Sequence, residues 1–217
     1  GAGASIVQVS AGYGDSRKHI LVANTDGVFV TDQQVRTLIR VTAVADGDAG
    51  MQTGSQSAGQ TIGFELFDQV DVEDLARDAA RMAITKLDAR PAPSGALPVV
   101  IKQGSGGVLF HEACGHGLEA DIIAKGGSVY RGKKGELVAS PLVTLVDDGT
   151  MRGEWGAIAY DDEGHASQYN VLIENGVLTE YMWDYLRARN DGRPQSGNGR
   201  RQSYQHLPMV RMTNTYL

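Results

Sequence analysis

The sequence predicts an α+β fold in which a mainly antiparallel sheet flanks a helix that carries an HExxxH motif. Three observations lead to this prediction. Several segments alternate apolar and polar residues as half-buried strands do, and Asn175-Gly176 joins two of them in the manner of a tight hairpin. One segment near residues 71–87 instead repeats its apolar residues with the period of a helix. Glycine, at 28 of 217 residues, is nearly twice as frequent as in average proteins, which favours many turns.

The first 45 residues are predicted to form strands. Their alternation indicates short strands at residues 5–9, 19–22 and 28–30 and a longer one over residues 35–45. The segment Asn24-Thr25-Asp26-Gly27 has the composition of a turn between two of them. Residues 47–63 are polar, rich in Gly, Ser and Gln, and without a period, so they are expected to form a mobile loop, either a lid or plain disorder.

A helix is predicted to begin at Asp71 and to end before Pro91. Acidic residues suit the positive N-terminal end of a helix, and proline cannot continue one. Its apolar stripe indicates a scaffold role. The stripe consists of Val72, Leu75, Ala76, Ala79, Met82, Ala83 and Leu87.

The segment His111-Glu112-Ala113-Cys114-Gly115-His116 combines two imidazoles and a carboxylate, the parts of a zinc hydrolase. In an HExxH helix the histidines are four residues apart and share one face. Here they are five apart, which on a regular helix leaves them about 140° apart around the axis. A turn widened to an i→i+5 step would bring them together. We therefore expect a locally deformed helix near residues 114–117, where Gly115 and Gly117 give the backbone freedom.

The surroundings of the motif predict the limits of its helix. Gly104-Ser105-Gly106-Gly107 gives a flexible approach with Ser105 as the N-cap, and the apolar run 108–110 predicts a buried start. After the motif the helical pattern continues to Ile123, and Lys125-Gly126-Gly127 ends it.

Catalytic zinc takes three protein ligands, so His111 and His116 would be one ligand short. The candidates within the chain are Glu119, Cys114, Asp121, His165 and His206, and none has a decisive spacing. Each also has an ordinary interpretation. Glu119 reads as a solvated helix residue, Cys114 as a small buried side chain, and the two histidines as surface or locally hydrogen-bonded groups.

Beyond the motif the pattern returns to strands, at residues 142–146 and 157–160 and in a hairpin from Tyr169 to Tyr181. The acidic pairs at residues 147–148 and 161–163 would suit a metal cluster, but their neighbouring glycines favour turn chemistry. The basic segment 197–201 is compatible with binding a substrate carboxylate and equally with a solvated loop.

Read onward from the motif, the chain resembles the TldD/PmbA family of peptidases, also labelled modulators of DNA gyrase, and in particular its TldD-type catalytic subunit. The resemblance is strong over residues 91–217 and looser over the first 90. It rests on residues 107–119, 135–140, 146–150, 161–164, 169–176, 197–201, 206–209 and 211–216.

This resemblance implies a zinc-dependent endopeptidase in which His111 and His116 bind Zn²⁺ and Glu112 polarises the attacking water. It also implies peptide or unfolded-protein substrates and a homo- or hetero-oligomer with a related subunit. The alternative is the family's non-catalytic partner subunit, which lacks the metal motif. The family's third zinc ligand is a cysteine from a carboxy-terminal domain, which we expect to lie beyond Leu217, so the site is expected to be incomplete here.

The chain is accordingly interpreted as an excised segment with two parts. Residues 1–90 are expected to be the latter part of an N-terminal α/β domain, and residues 91–217 a metallopeptidase segment that lacks the C-terminal domain.

Composition excludes several classes. No apolar run approaches the roughly 20 residues that span a bilayer, so no membrane association is expected. The net charge of −6 argues against nucleic-acid binding, despite the gyrase label. A single cysteine excludes an internal disulfide and fits a cytoplasmic location.

Overall fold

The structure, a computed structural model, describes residues 3–48, 50–104 and 106–217. It has the predicted α+β class, with antiparallel sheets and a few helices. The chain divides into two compact units, one from Gly1–Lys18 and Val35–Val99 and the other from His19–Gln34 and Val100–Leu217. Ser105, the predicted N-cap, lies outside the described residues. Among those residues no helix has the length and apolarity needed to cross a membrane.

The N-terminal strands are longer than predicted. A three-stranded sheet has the order β1 (Ile6–Ala23), β2 (Phe29–Ala45) and β3 (Gln52–Gln60). The predicted turn is confirmed, because the Asn24 side chain accepts the backbone N–H groups of Asp26 and Val28. The predicted gaps between strands at residues 10–18 and 31–34 were wrong, because these residues belong to β1 and β2. Residues 10–18 of β1 are all exposed, so this stretch carries no alternation of buried and exposed residues from which its strand could be recognised.

The predicted mobile loop at residues 47–63 is also wrong, because most of it is strand β3. This strand pairs antiparallel with β2 from Thr37↔Gln60 to Ala45↔Gln52. Its small residues reflect packing, since a Cβ at Gly54 would overlap the Ala79 carbonyl oxygen and lie 2.6 Å from the Ala83 nitrogen. Glycine is therefore present here because a helix backbone lies directly against the strand.

That helix is α1 (Val72–Leu87), as predicted. The Asp71 side chain caps it by accepting the N–H groups of Glu73 and Asp74. It ends at Leu87, ahead of Pro91. Its alanines form the first unit's core with the buried side of β2, and this core comprises Val41, Ala43, Ala45, Ala79, Ala80 and Ala83.

The second unit contains a four-stranded sheet of order β6-β5-β4-β9. Its strands are β4 (Leu145–Asp148), β5 (Tyr169–Glu174), β6 (Val177–Leu178) and β9 (Thr215–Tyr216), and a separate pair joins β7 (Gly199–Arg200) to β8 (Met209–Val210). The hairpin across Asn175-Gly176 is confirmed, with φ of +48° and +83° at the two residues.

Two strand predictions in this unit need correction. Strand β4 begins at Leu145 rather than at residue 142, and Leu142 itself is 95% exposed. The predicted strand at residues 157–160 reduces to a single bridge between Tyr160 and Ala166. Bonds from the Ile158 N–H to Gly149 and from the Ser167 N–H to Ala159 hold it as a loop instead.

The motif lies in a series of short helical turns. These are α2 (Gly107–Phe110), a π-turn (His111–Gly115), a 3₁₀ turn (His116–Leu118) and α3 (Ala120–Lys125), and α4 (Tyr185–Asn190) follows later in the chain. The predicted buried start is wrong, since Val108 and Leu109 are more than half exposed. The predicted stop is confirmed, with Gly126 in the left-handed region at φ +77°.

The core of the second unit forms beneath these turns and the four-stranded sheet. It is made of Leu118, Ala120, Leu145, Leu172, Ile173, Leu178, Tyr181, Met182, Trp183, Ala188, Val210 and Met212.

The contact at Gly54 gives a stability prediction. Gly54→Ala should lower the free energy of unfolding by about 1–3 kcal/mol, because the new methyl must push α1 away from β3. Urea unfolding followed by circular dichroism measures this. The matched control is Gly12→Ala, a strand glycine with open space around it, which should be neutral or slightly stabilising. Equal effects of the two changes would contradict the proposed packing role.

Candidate metal centre

The π-turn is the local feature that brings the two motif histidines together. The N–H of His116 donates to the carbonyl of His111, which closes an i→i+5 turn as predicted from the spacing. The two ring centroids are 4.8 Å apart, with the ring planes at 87°. Both imidazoles therefore lie on the same side of the turn, where a regular helix would have separated them.

Gly115 is required in this turn by the side chain packed against it, since its own backbone is in the ordinary helical region at φ −56° and ψ −54°. It is buried, and a Cβ there would overlap the sulfur of Met212, a member of the unit's core. Gly117 is similarly close to the ring of Tyr130, at 3.0 Å for an added Cβ. The turn thus lies against the core on one side while its histidines face the other way.

His111, Glu112 and His116 form the candidate site. Each offers one ligand atom, and these atoms all lie within 4.8 Å of one another. The Glu112 carboxylate is 3.7 Å from Nε2 of His116. The Glu112 side chain is 65% exposed and that of His116 is 40% exposed, so the group is accessible from solvent.

Glu119 has a different environment from the solvated helix position that its sequence context indicated. It is 1% exposed. Its Oε1 lies 3.2 Å from Nδ1 of His116, and its Oε2 accepts a hydrogen bond of 3.2 Å from Arg211. Burial is the largest effect and raises the pKa of Glu119 above its ordinary value, with a contribution from the charge of Asp121, although the hydrogen bond and charge of His116 and the charge of Arg211 act to lower it. Arg211 is 92 residues away in sequence, so no local pattern could have revealed this contact.

The other candidate ligands are engaged elsewhere. Cys114 packs on the core, as its ordinary interpretation predicted, and its thiol is hydrogen-bonded to Tyr130; burial and this bond raise the pKa of Tyr130 to about 12. The remaining three make local bonds. Asp121 pairs with Lys125 at 3.3 Å, His165 bonds Gln168 at 2.7 Å, and His206 bonds Ser203 at 2.8 Å. Within the described residues, none of these joins the group of His111, Glu112 and His116.

The donor set of the site fits a divalent metal such as zinc. Two imidazoles converge beside a carboxylate, which is the combination found in catalytic zinc sites. Zinc sites of this kind keep a position open for water or substrate, and the exposed side of the group satisfies that requirement.

The acidic pairs prove to be structural. Asp147 is fully buried and accepts four hydrogen bonds, from Asn198, from the Thr213 N–H and hydroxyl, and from Thr215. Asp161 accepts the N–H groups of two residues that follow it, which confirms the predicted turn chemistry there.

The segment 197–201 is not the solvated loop that one of its two interpretations predicted, and its binding of a substrate carboxylate stays a prediction. Asn198 is fully buried, and its side-chain amide donates to Asp147 and to the Arg211 carbonyl. The Arg200 guanidinium donates to the carbonyl of Met212. The segment is therefore part of the second unit, where it forms strand β7 and the buried residues just before it.

Glu163, next to this segment, is a partly buried carboxyl group. Its Oε2 accepts the Tyr185 N–H at 2.7 Å. Burial above all, together with the neighbouring charges of Asp161 and Asp184, raises the pKa of Glu163 to about 7, against the lowering effect of the hydrogen bonds from Tyr185 and Gln195.

Comparison with known proteins assigns the chain to a family. Residues 94–217 match the family model described as PmbA/TldA metallopeptidase C-terminal domain, and residues 1–87 match the one described as PmbA/TldA metallopeptidase central domain. The chain belongs to the PmbA/TldD family. The predicted division of the chain into residues 1–90, as the latter part of an N-terminal domain, and residues 91–217, as a metallopeptidase segment, stays a prediction.

The similar proteins in this family are named metalloproteases. A metalloprotease TldD homolog of Haemophilus influenzae is 43% identical over 219 residues, which cover 98% of this chain and 45% of that protein. A zinc metalloprotease TldD homolog of Saccharolobus solfataricus is 28% identical over 196 residues, or 90% of this chain and 43% of that protein. The chain thus spans a little under half the length of these relatives.

Solved structures share the fold. A protein of Thermotoga maritima assigned as a modulator of a DNA gyrase superposes with a TM-score of 0.81 at 26% identity, covering 95% of this chain and 46% of that one. TldE of Thermococcus kodakarensis gives a TM-score of 0.76 at 22% identity with the same coverage, and it shows the fold alone.

The packing of Gly115 predicts that its replacement disturbs the π-turn. Gly115→Ala should lower the free energy of unfolding by about 1–3 kcal/mol and weaken zinc binding, because the added methyl displaces either Met212 or the turn. Gly107→Ala is the control, since this helical glycine has open space. Thermal unfolding and zinc titration measure both variants. If Gly115→Ala behaved like Gly107→Ala, the contact with Met212 would not constrain the turn.

The raised pKa of Glu163 predicts a pH-dependent stability. The unfolded chain releases this proton near pH 4.5 and the folded chain only near pH 7, so this group's contribution to stability falls as pH rises between these values. Glu163→Gln removes that contribution. Across the same window the variant should therefore gain stability relative to the unmodified protein, as measured by urea unfolding at a series of pH values. Glu136→Gln, an exposed position, controls for the loss of one surface charge. If the unfolding free energies of Glu163→Gln and the unmodified protein differed by the same amount from pH 4.5 to about 7, the raised pKa of Glu163 would be contradicted.

Proposed function

We propose that this chain carries the metal-binding and water-activating residues of a zinc-dependent endopeptidase that acts on unfolded or extended peptides. The observation that carries the proposal is the π-turn, which brings His111, Glu112 and His116 to one open face. The metalloprotease names of the relatives support it.

His111 and His116 are proposed as the two zinc ligands from this chain. Zinc at this position would polarise the scissile carbonyl and make water a stronger acid. The third ligand is proposed to be a cysteine elsewhere in the full-length protein, as the family resemblance implies. Cys114 does not fill this role, because it packs on the core beside Tyr130.

Glu112 is proposed as the general base. Its carboxylate lies beside the ligand group and is mostly exposed, so it can accept a proton from the attacking water and later deliver one to the leaving amine. A closed structural zinc site would instead need four protein ligands and would leave Glu112 without a role.

Strand β9 supports an extended peptide as the substrate. It is the last strand of the four-stranded sheet and lies next to the π-turn. A groove of about 370 Å³ runs along it, lined by residues 101–104, 106, 107 and 110, Leu145 and residues 215–217. A peptide that adds to a strand edge binds mainly through its backbone, which suits substrates with little sequence in common.

A related subunit is proposed as the partner, and the cytoplasm as the location. The fold shared with TldE is compatible with such a pairing. The alternative, a non-catalytic subunit, is disfavoured because a subunit without that role has no need for His111, Glu112 and His116 in one group. Metal analysis of the full-length protein discriminates between the two.

The two proposed roles predict different consequences of substitution. In the full-length protein, Glu112→Gln should keep zinc and stability while lowering turnover by about 10²–10⁴-fold, the usual contribution of a general base. His111→Ala should lose the metal and therefore the activity. Zinc content and peptide hydrolysis are measured on the same preparations.

Two results would revise the proposal. Near-normal hydrolysis by zinc-loaded Glu112→Gln would remove Glu112 from the mechanism. Loss of zinc from that variant would make it a ligand or a support of one.

A further inference from the structure

Glu119 is a buried carboxylate whose two oxygens are both used. Oε1 lies 3.2 Å from Nδ1 of His116, and Oε2 accepts a hydrogen bond of 3.2 Å from the guanidinium of Arg211. Buried carboxylates are rare unless they are paired, and this one is paired with a residue of the candidate metal centre. Glu119 can therefore affect the metal centre through its contact with His116.

The two ring nitrogens of His116 face different carboxylates. Nε2 lies towards Glu112, on the open side of the group, at 3.7 Å. Nδ1 lies towards Glu119, on the buried side. A metal shared with His111 would take Nε2, so Nδ1 remains for a hydrogen bond that selects the tautomer.

The backbone around Glu119 is fixed by hydrogen bonds to the core. The Glu119 N–H donates to the carbonyl of His116, and the next residue, Ala120, donates to Met182. Met182 in turn donates to Leu118, and both of these side chains are fully buried. The backbone of Glu119 is therefore attached to the core on both sides, and its side chain is held in place by its own contacts with His116 and Arg211.

Arg211 provides the positive charge for this buried group. Its guanidinium also donates to the carbonyl of Val210 at 2.7 Å, and its backbone N–H donates to Asn198 at 2.9 Å. The arginine is thus held in place from two directions. A carboxylate paired with a guanidinium is an acceptor only, so the proton between Glu119 and His116 belongs to Nδ1.

We propose that Glu119, held by Arg211, is a positioning residue that keeps His116 protonated on Nδ1 and so presents its Nε2 lone pair to the metal. The inference rests on the proposed function, because it assigns Glu119 to the support of a zinc ligand. Hydrogen-bonded carboxylates behind metal-binding histidines orient the ring and raise its basicity. Glu119 is therefore assigned behind the ligand His116 and outside the ligand set.

The first test is the tautomer of His116 in the metal-free, full-length protein. Long-range ¹H–¹⁵N correlation spectra at pH 8, above the ordinary titration range of histidine, distinguish protonation on Nδ1 from protonation on Nε2. The Nδ1-protonated form is expected in the unmodified protein, and His116→Ala identifies the signal. Predominant protonation on Nε2 would overturn the inference without any variant having to fold.

The second test is zinc affinity, measured by competition with a chelator. Glu119→Gln should bind zinc about 10–100-fold more weakly and lose the uniform tautomer. Arg211→Gln should weaken zinc binding in the same direction, and Arg211→Lys, which keeps the charge, should recover part of the loss. The double change Glu119→Gln with Arg211→Gln leaves no buried charge unpaired and is used if a single variant fails to fold.

Glu180→Gln is the matched control. Glu180 is half-buried and paired with a cation, Lys134 at 2.6 Å, and its other described hydrogen bonds come from Tyr181 and Trp183 rather than from a histidine. The zinc affinity of Glu180→Gln should stay within about twofold of the affinity of the unmodified protein. If folded Glu119→Gln kept both the zinc affinity and the His116 tautomer of the unmodified protein, Glu119 would serve only in an ion pair with Arg211 in the core. An unmodified protein that binds no zinc would instead refute the proposed function, while the metal-free spectrum would still decide the tautomer.

Discussion

One backbone hydrogen bond sets the geometry on which the candidate metal centre depends. The His116 N–H closes a turn on the His111 carbonyl with one residue more than an α-helix would use. That extra residue rotates the second imidazole back towards the first. π-turns are uncommon and recur at functional sites, since a helix tolerates the weaker geometry only where something else stabilises it. Here the support comes from Met212, which packs where any side chain at Gly115 would lie.

The second half of the site comes from far along the chain. Arg211 and Met212 follow strand β8 directly, and they contact Glu119 and Gly115 respectively. One short segment therefore supports both the widened turn and the carboxylate behind His116. The candidate metal centre consequently depends on the folding of the second unit as a whole, although its three side chains lie within six consecutive residues.

Sequence patterns predicted the parts of this protein that depend on near neighbours. The start of α1 at Asp71, the Asn175-Gly176 hairpin and the widened turn each follow from residues a few positions apart. The failures have a common physical origin. Strand β3 was mistaken for a loop because Gly54 accommodates a helix from elsewhere in the chain, and Glu119 was mistaken for a solvated residue because its partner Arg211 is distant. Local composition carries no record of such contacts.

The buried carboxyl group of Asp147 has a consequence for the order in which the second unit forms. Its hydrogen-bond donors lie 51, 66 and 68 residues later in the chain, at Asn198, Thr213 and Thr215. Bonds between such distant residues require the closure of long loops, which slows folding. During synthesis at the ribosome, strand β4 must therefore wait for most of the following seventy residues before this group can be enclosed. Until then it stays hydrated, and an early, incorrect closure of the sheet around it is disfavoured.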